Sequence, residues 1–105
     1  MPDEMITKCK ELNSNKSVCV VESWTWWYIQ QEVDSNLSQE PLCVIKSDRI
    51  LYDELKRFPV GGWVRTSPLV ESHFNCVFET RSTFYILIGS GTRKSVLANN
   101  ALAFV

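Results

Sequence analysis

Two runs of β-branched and aromatic residues, Cys76-Val77-Phe78-Glu79-Thr80 and Thr83-Phe84-Tyr85-Ile86-Leu87-Ile88, are separated by only Arg81-Ser82. No other stretch of the chain restricts its fold so tightly. A two-residue connection sets the register of an antiparallel hairpin, and period-two alternation then sorts the side chains onto faces. Thr80 pairs with Thr83, Phe78 with Tyr85 and Cys76 with Leu87 on one face. Val77 with Ile86 and Glu79 with Phe84 take the other. The second strand is apolar on both faces, which predicts a central strand covered twice. Gly89-Ser90-Gly91 ends it, and Thr92 to Val96 reads as a last strand.

The rest of the chain is read against this sheet. Pro2 to Leu12 has Met5, Ile6, Cys9 and Leu12 on one face of a 3.6-residue repeat, with acidic residues in the first turn and lysines near the end. It is expected to be a helix. Asn13 to Ser17 is a polar breaker, and Val18-Cys19-Val20-Val21 a short strand. Leu42 to Ile45 and Ile50 to Tyr52 are strands on either side of a bend at Ser47-Asp48-Arg49. Asp53 to Gly62 is a loop with Pro59 and Gly61-Gly62 as stop signals, and Trp63 to Ser67 is a strand ended by Pro68. Leu69 to Ser72 reads as irregular or edge-like, and Leu97 to Val105 has no assignable pattern.

The stretch Ser23-Trp24-Thr25-Trp26-Trp27-Tyr28-Ile29-Gln30-Gln31-Glu32-Val33 is the most unusual, with four aromatic residues among the five from Trp24 to Tyr28. Its length and the Gln30-Gln31-Glu32 run favour a second helix with Ser23 as N-cap. Trp24, Trp27, Tyr28 and Gln31 then share one face, and Trp26, Ile29 and Val33 a second. As a strand, Trp24, Trp26 and Tyr28 would align instead. On the helical reading a small sheet covers one face only, so Trp26, Ile29 and Val33 are expected to meet a protein partner, either a second copy of the chain or a target. A core role for most of these rings is the plain alternative. The expected architecture is α+β in a single domain, 1–105: two N-terminal helices packed on an antiparallel, barrel-like sheet of about five or six strands.

With 105 residues, 45% of them apolar and 22% charged, the composition is that of a globular domain. No run approaches the ~20 apolar residues that span a bilayer, and Met1-Pro2-Asp3-Glu4 lacks signal-peptide character, so a cytoplasmic protein is expected. The formal net charge of −1 argues against wholesale attraction to nucleic acid or membrane. The charge is uneven, however: residues 1–53 carry five basic and nine acidic side chains, residues 54–105 six basic and three acidic. Arg65, Arg81, Arg93 and Lys94 lie in the basic half and form a candidate patch for an anionic partner, against the plainer reading of a solvated sheet face.

Chemistry-bearing motifs are scarce. Cys9, Cys19, Cys43 and Cys76 contain no Cys-x-x-Cys pair, and His73-x-x-Cys76 lacks a second close pair, so no metal is expected. Reduced thiols are expected, with Cys19, Cys43 and Cys76 in apolar strands. Gly89-Ser90-Gly91-Thr92-Arg93-Lys94 lacks P-loop spacing and reads as a turn. His73 beside Ser72 is no triad, and with so few acid–base groups neither an enzyme nor a cofactor is expected.

The stretches Gly61-Gly62-Trp63-Val64-Arg65-Thr66-Ser67-Pro68-Leu69 and Phe78-Glu79-Thr80-Arg81-Ser82-Thr83-Phe84-Tyr85-Ile86-Leu87-Ile88-Gly89, with Leu51-Tyr52-Asp53 and Arg57-Phe58, resemble a family of short uncharacterised proteobacterial and mobile-element proteins. The resemblance covers roughly residues 42–95 and departs from the pattern at Gly62 and Ser82, where Asp and Asn are expected. It implies a bacterial or phage origin and carries no activity. Short phage-borne proteins of this size commonly block a host defence complex by binding it. The expected function is therefore a non-enzymatic protein-binding module, an inhibitor of a bacterial host or defence complex, or a homodimer. The alternative is a small-barrel nucleic-acid binder using the basic residues of the strand half.

Overall fold

The computed structural model describes residues 2–30 and 42–97. One helix, α1 (Pro2–Leu12), precedes seven strands: β1 (Ser17–Gln30), β2 (Leu42–Asp53), β3 (Val64–Arg65), β4 (Glu71–His73), β5 (Val77–Glu79), β6 (Thr83–Leu87) and β7 (Thr92–Leu97). The helix has the expected bounds, with Asp3 and Glu4 in its first turn and Lys10 in its last. Among the described residues it is the only α-helix, so the two-helix expectation is not met. The segment expected to be the second helix continues β1 through Gln30; Gln31, Glu32 and Val33 lie outside the described residues. The tryptophans, Tyr28 and Thr25 all favour a pleated surface, and this one is paired on both sides.

The sheet order is β3-β2-β1-β6-β5-β4, with β7 also on β1. The β1–β2 pair is antiparallel, but β6 and β7 both run parallel to β1. The wholly antiparallel sheet of five or six strands is therefore corrected to a mixed, seven-stranded one. It is open rather than a closed barrel. It is nevertheless curled. Between β3 and β4 the Thr66 and Leu69 amides donate to Ile45 O and Cys43 O on β2, and the next amide, that of Val70, donates to Glu79 O on β5. In a flat sheet β2 and β5 would stand ~14 Å apart, three spacings of ~4.8 Å. Consecutive residues can bridge them only if the sheet bends.

The hairpin register is as the two-residue turn predicts: Phe78 opposes Tyr85, Val77 opposes Ile86 and Glu79 opposes Phe84. Thr80 and Thr83 close the turn through the Thr80 amide on Thr83 O (2.8 Å). All five residues of β6 are buried, as a doubly covered central strand requires. One side is covered by α1, where Cys9, Val18, Val20, Val77, Phe84 and Ile86 cluster. The other side carries Cys19, Val21, Trp24, Trp26, Ile45, Ile50, Val64, Phe78, Tyr85 and Leu87, with Phe58 and Leu69 from the connections packed over them. Cys76 departs from the expected face and packs on the helix side; Phe74 (φ 54°) and Asn75 (φ 61°) precede it in the left-handed region and redirect the chain.

The sheet has a crease. Ser23 in β1 has φ 51°, so the inward positions change from Cys19 and Val21 to Trp24 and Trp26. In β2 the Ser47 hydroxyl donates to Glu22 O (2.6 Å) and accepts from the Arg49 amide (3.1 Å). That hydroxyl closes the bend read at Ser47–Arg49, so the two expected strands are one continuous β2. Gly89 and Gly91, both at positive φ, separate β6 from β7 at the same level. Trp24 fills the crease, its indole N–H donating to Ile88 O at 3.1 Å.

None of the four cysteines is in a disulfide. Burial pushes the Cys9 thiol up to about 11 and the Cys19 thiol up to about 12. Both are un-ionised at neutral pH and pack as small apolar groups. Cys43 and Cys76 are half-buried, less enclosed than their strand positions suggest.

Candidate functional site

Trp26, Ile29 and Val33, expected on one exposed helix face, are not presented together on the surface of the described residues. Trp26 is 7% exposed and stands edge-on against Phe78 at 5.0 Å between ring centroids. Ile29 is half-buried, and Val33 lies outside the described residues. Trp26 is thus not an exposed anchor, because the pleat turns it to the inner face that the β3–β4 connection covers.

The four basic residues of the candidate patch are all exposed but are not gathered. Arg81 sits in the hairpin turn beside Thr83, level with Ser17 on β1, whereas Arg93 and Lys94 are level with Trp26 and Trp27. Being successive in a strand, Arg93 and Lys94 face opposite sides: one lies over Trp26 (4.5 Å), the other over Trp27 (5.5 Å). Arg65 opposes Lys46 across the β2–β3 pair.

A different surface carries an exposed aromatic residue. The connection from β2 to β3 presents Val60 at 77% and Trp63 at 65% exposure. It is pinned along its length. At its start the Glu54 amide donates to Val18 O (2.9 Å), and Glu54 Oε1 accepts from the Val18 amide (3.0 Å). Next the buried Asp53 carboxylate accepts from the Arg57 amide (2.8 Å) and from its guanidinium (3.1 Å to Oδ1). At the far end the Gly61 amide donates to Ile50 O (2.7 Å) and the Ile50 amide to Gly62 O (2.9 Å). Gly61 has φ 83°, where a side chain would be strained. Phe58 and Val64 dip into the inner core on either side, so Val60 and Trp63 are held outward.

Trp63 forms a wall shared by two clefts. One of about 530 Å³ is also lined by Phe58, Pro59 and Arg65. The other, of about 380 Å³, is lined by Lys46, Asp48 and the Gly61-Gly62 pair. Lys46 and Arg65 therefore flank an apolar ridge. Sequence pattern alone places Trp63 at the start of a strand. The overlooked signal was a tryptophan next to Pro59-Val60-Gly61-Gly62, a sequence that loops outward and leaves a ring with nothing local to bury it.

Glu71, His73 and Glu79 place ligand atoms within 4.8 Å of one another, enough to consider a metal. Glu79 is already engaged, however: His73 Nε2 lies 2.7 Å from one oxygen, and the Lys16 ammonium pairs with the other. That ammonium also donates to Thr80 O (2.8 Å) and would oppose a cation. The group is better explained as an ion-pair network tying the start of β1 to β4 and β5. His73 faces Glu79 here, and Ser72 projects to the other side of β4.

Burial pushes the Asp53 and Glu79 carboxyls up, but hydrogen bonds from Arg57, and from Lys16 and His73, outweigh it and hold both below the usual carboxylate range. Depressed folded values mean stability that is present above the unfolded pKa of about 4 and lost as pH falls through the folded values. Urea midpoints are expected to be flat from neutral pH to roughly pH 5 and to drop below it. Asp53→Asn should lower the neutral-pH plateau by about 1.5–3 kcal/mol and make the acid limb shallower. An unchanged acid limb would remove Asp53 from the account.

The protein is thus an α+β module: a curled, open mixed sheet, one helix on its outer side, and a pinned loop presenting tryptophan. The family model described as Domain of unknown function (DUF6957) matches residues 1–103, and the chain belongs to that family. Comparison with curated proteins and with solved structures returns no match. Among the described residues no helix is long and apolar enough to cross a membrane.

Proposed function

We propose that the protein is a cytoplasmic, non-enzymatic protein-binding module whose contact surface is centred on Trp63. The observation that carries this is a tryptophan 65% exposed on a loop fixed at both ends. Exposing so large a ring costs stability that burial against a partner recovers, and the fixed backbone means little ordering cost on binding. Lys46 and Arg65 beside the ring outnumber Asp48 there, and the net positive rim suits a partner whose apolar pocket is rimmed by acidic side chains. On the resemblance of the Gly61–Leu69 and Phe78–Gly89 stretches, that partner is a bacterial host or defence complex.

The test compares wild type with Trp63→Ala. A hot-spot tryptophan contributes ~2–4 kcal/mol, so Trp63→Ala should weaken association about thirtyfold or more. Its melting temperature should stay close to that of wild type. The readout is co-purification from bacterial lysate alongside sedimentation of the isolated protein. Retention of every wild-type partner and of the wild-type oligomeric state by Trp63→Ala sinks the reading.

The second reading is single-stranded nucleic acid stacking on Trp63, favoured by the same Lys46 and Arg65. It requires affinity that falls steeply with salt, and a salt titration of oligonucleotide binding separates the two.

A further inference from the structure

Away from the Trp63 loop, a cleft of about 250 Å³ opens between the upper half of β1, β7 and the β4–β5 turn. Its walls include Arg93, Tyr28, Trp26, Ser72 and Asn75. Among the described residues that line it, Arg93 is the sole charged side chain. Its guanidinium carbon lies over aromatic rings, 4.5 Å from the Trp26 centroid and 5.9 Å from that of Trp24. One of its N–H groups donates to the Tyr28 hydroxyl at 3.0 Å. Among the described residues no carboxylate pairs with it, so most of its donor fork is unused.

Trp26 supplies an independent observation. It is 7% exposed, and its indole N–H has no hydrogen-bond partner among the described residues. A buried donor without an acceptor is uncommon in a folded protein and calls for an explanation. Here it belongs to a ring in the wall of a cleft whose other polar groups also supply donors. The Tyr28 oxygen accepts from Arg93, which leaves its own hydrogen to give. Ser72 and Asn75 offer a hydroxyl and an amide. Ser72, Asn75 and Tyr28 can also accept, but none of the described groups lining the cleft carries a negative charge to meet the Arg93 guanidinium.

We propose that this cleft binds a carboxylate. A single planar guanidinium, placed over the Trp26 ring and bonded to the Tyr28 hydroxyl, can present two parallel N–H donors that match the two oxygens of a carboxylate. A phosphate dianion would call for a second cation, and none of the described residues lining the cleft supplies one. The aromatic walls suit a ligand whose carboxylate is joined to an apolar or aromatic body. A free small-molecule acid and the C-terminus of a peptide share this chemistry.

The test is a titration of ¹⁵N-labelled protein followed by NMR. The probes are benzoate and its neutral counterpart benzamide, then N-acetylphenylalanine and its amide. The expected result is saturable movement of the Trp26 indole and Arg93 Nε–H signals with at least one acid, at millimolar concentration. The matching amide should bind at least about tenfold more weakly. Arg93→Gln should lose about tenfold or more while keeping the melting temperature, and Arg93→Lys should fall between, since an ammonium cannot replace the fork. Tighter binding of N-acetylphenylalanine than of benzoate assigns the site to a chain terminus, and the reverse to a small molecule. Equal binding of acid and amide, binding that survives Arg93→Gln, or no response to either acid overturns the proposal.

Discussion

Trp26→Ala is expected to unfold the protein under mild conditions, with a loss of about 3–5 kcal/mol. That is a large share of what a domain this small has to lose. The ring is 7% exposed and meets Phe78 edge-on at 5.0 Å and Tyr28 at 6.0 Å. Ile45, Val64 and Tyr85 belong to the same inner cluster. Leu69 of the β3–β4 connection packs on the same cluster, and that connection is hydrogen-bonded to both β2 and β5, so its backbone is poorly placed to fill the space alanine leaves. Partial collapse is therefore costly. Trp26→Phe should cost much less, because a ring still faces Phe78 and an unpaired buried N–H is removed. Urea denaturation of the two variants is the measurement. An unchanged midpoint for Trp26→Ala would put the ring outside the core and restore it as a surface anchor. Trp63→Ala, with the same change in side-chain volume at 65% exposure, is the contrasting case and should leave the midpoint nearly unmoved.

Local pattern made some of this legible. The α1 face, the Arg81-Ser82 hairpin and the doubly buried β6 each follow from periods and turn length within a dozen residues. Trp24 to Tyr28 did not yield to the same reasoning, because Trp-Thr-Trp-Trp-Tyr fits a helical stripe and a pleat equally well. What decides it is remote. Thr25 to Gln30 pair with β7, and Trp24 to Ile29 with β2. Neither partner is visible from the segment itself. Tryptophan, tyrosine and threonine already lean towards a strand, and that preference outweighs the helical leaning of the glutamine–glutamate run after them. The parallel pairings of β1 were hidden for a similar reason, since parallel strands leave no short turn to read. Trp63 was missed because its exposure depends on Gly61 and Gly62 bonding back to Ile50, a closure that no window of alternating residues contains. The basic side chains were found, but counting them could not reveal that strand alternation sends Arg93 and Lys94 to opposite faces.

The crease makes the last prediction, and it separates two glycines that look alike in the sequence. Gly89 and Gly91 both have positive φ, 83° and 58°. A methyl group added at Gly89 meets nothing within 4 Å, whereas at Gly91 it would sit 2.3 Å from two ring atoms of Trp24 and 2.5 Å from a third. Gly89→Ala should thus cost only the left-handed backbone strain of about 1–2 kcal/mol. Gly91→Ala bears the same strain plus a collision with a ring that cannot retreat. Trp24 is 6% exposed and held by its bond to Ile88 O. Overpacking adds about 1–3 kcal/mol, for a total of roughly 2–5 kcal/mol. The extra cost should vanish in a Trp24→Leu background, where the clashing ring atoms are gone. Thermal or urea unfolding of the two alanine variants, with Gly91→Ala repeated on Trp24→Leu, forms a double-mutant cycle whose coupling reads the contact directly. If Gly89→Ala and Gly91→Ala cost the same, or if the cycle is additive, Trp24 does not seal the crease. The bend shared by β1, β2 and the β6–β7 junction would then need another cause.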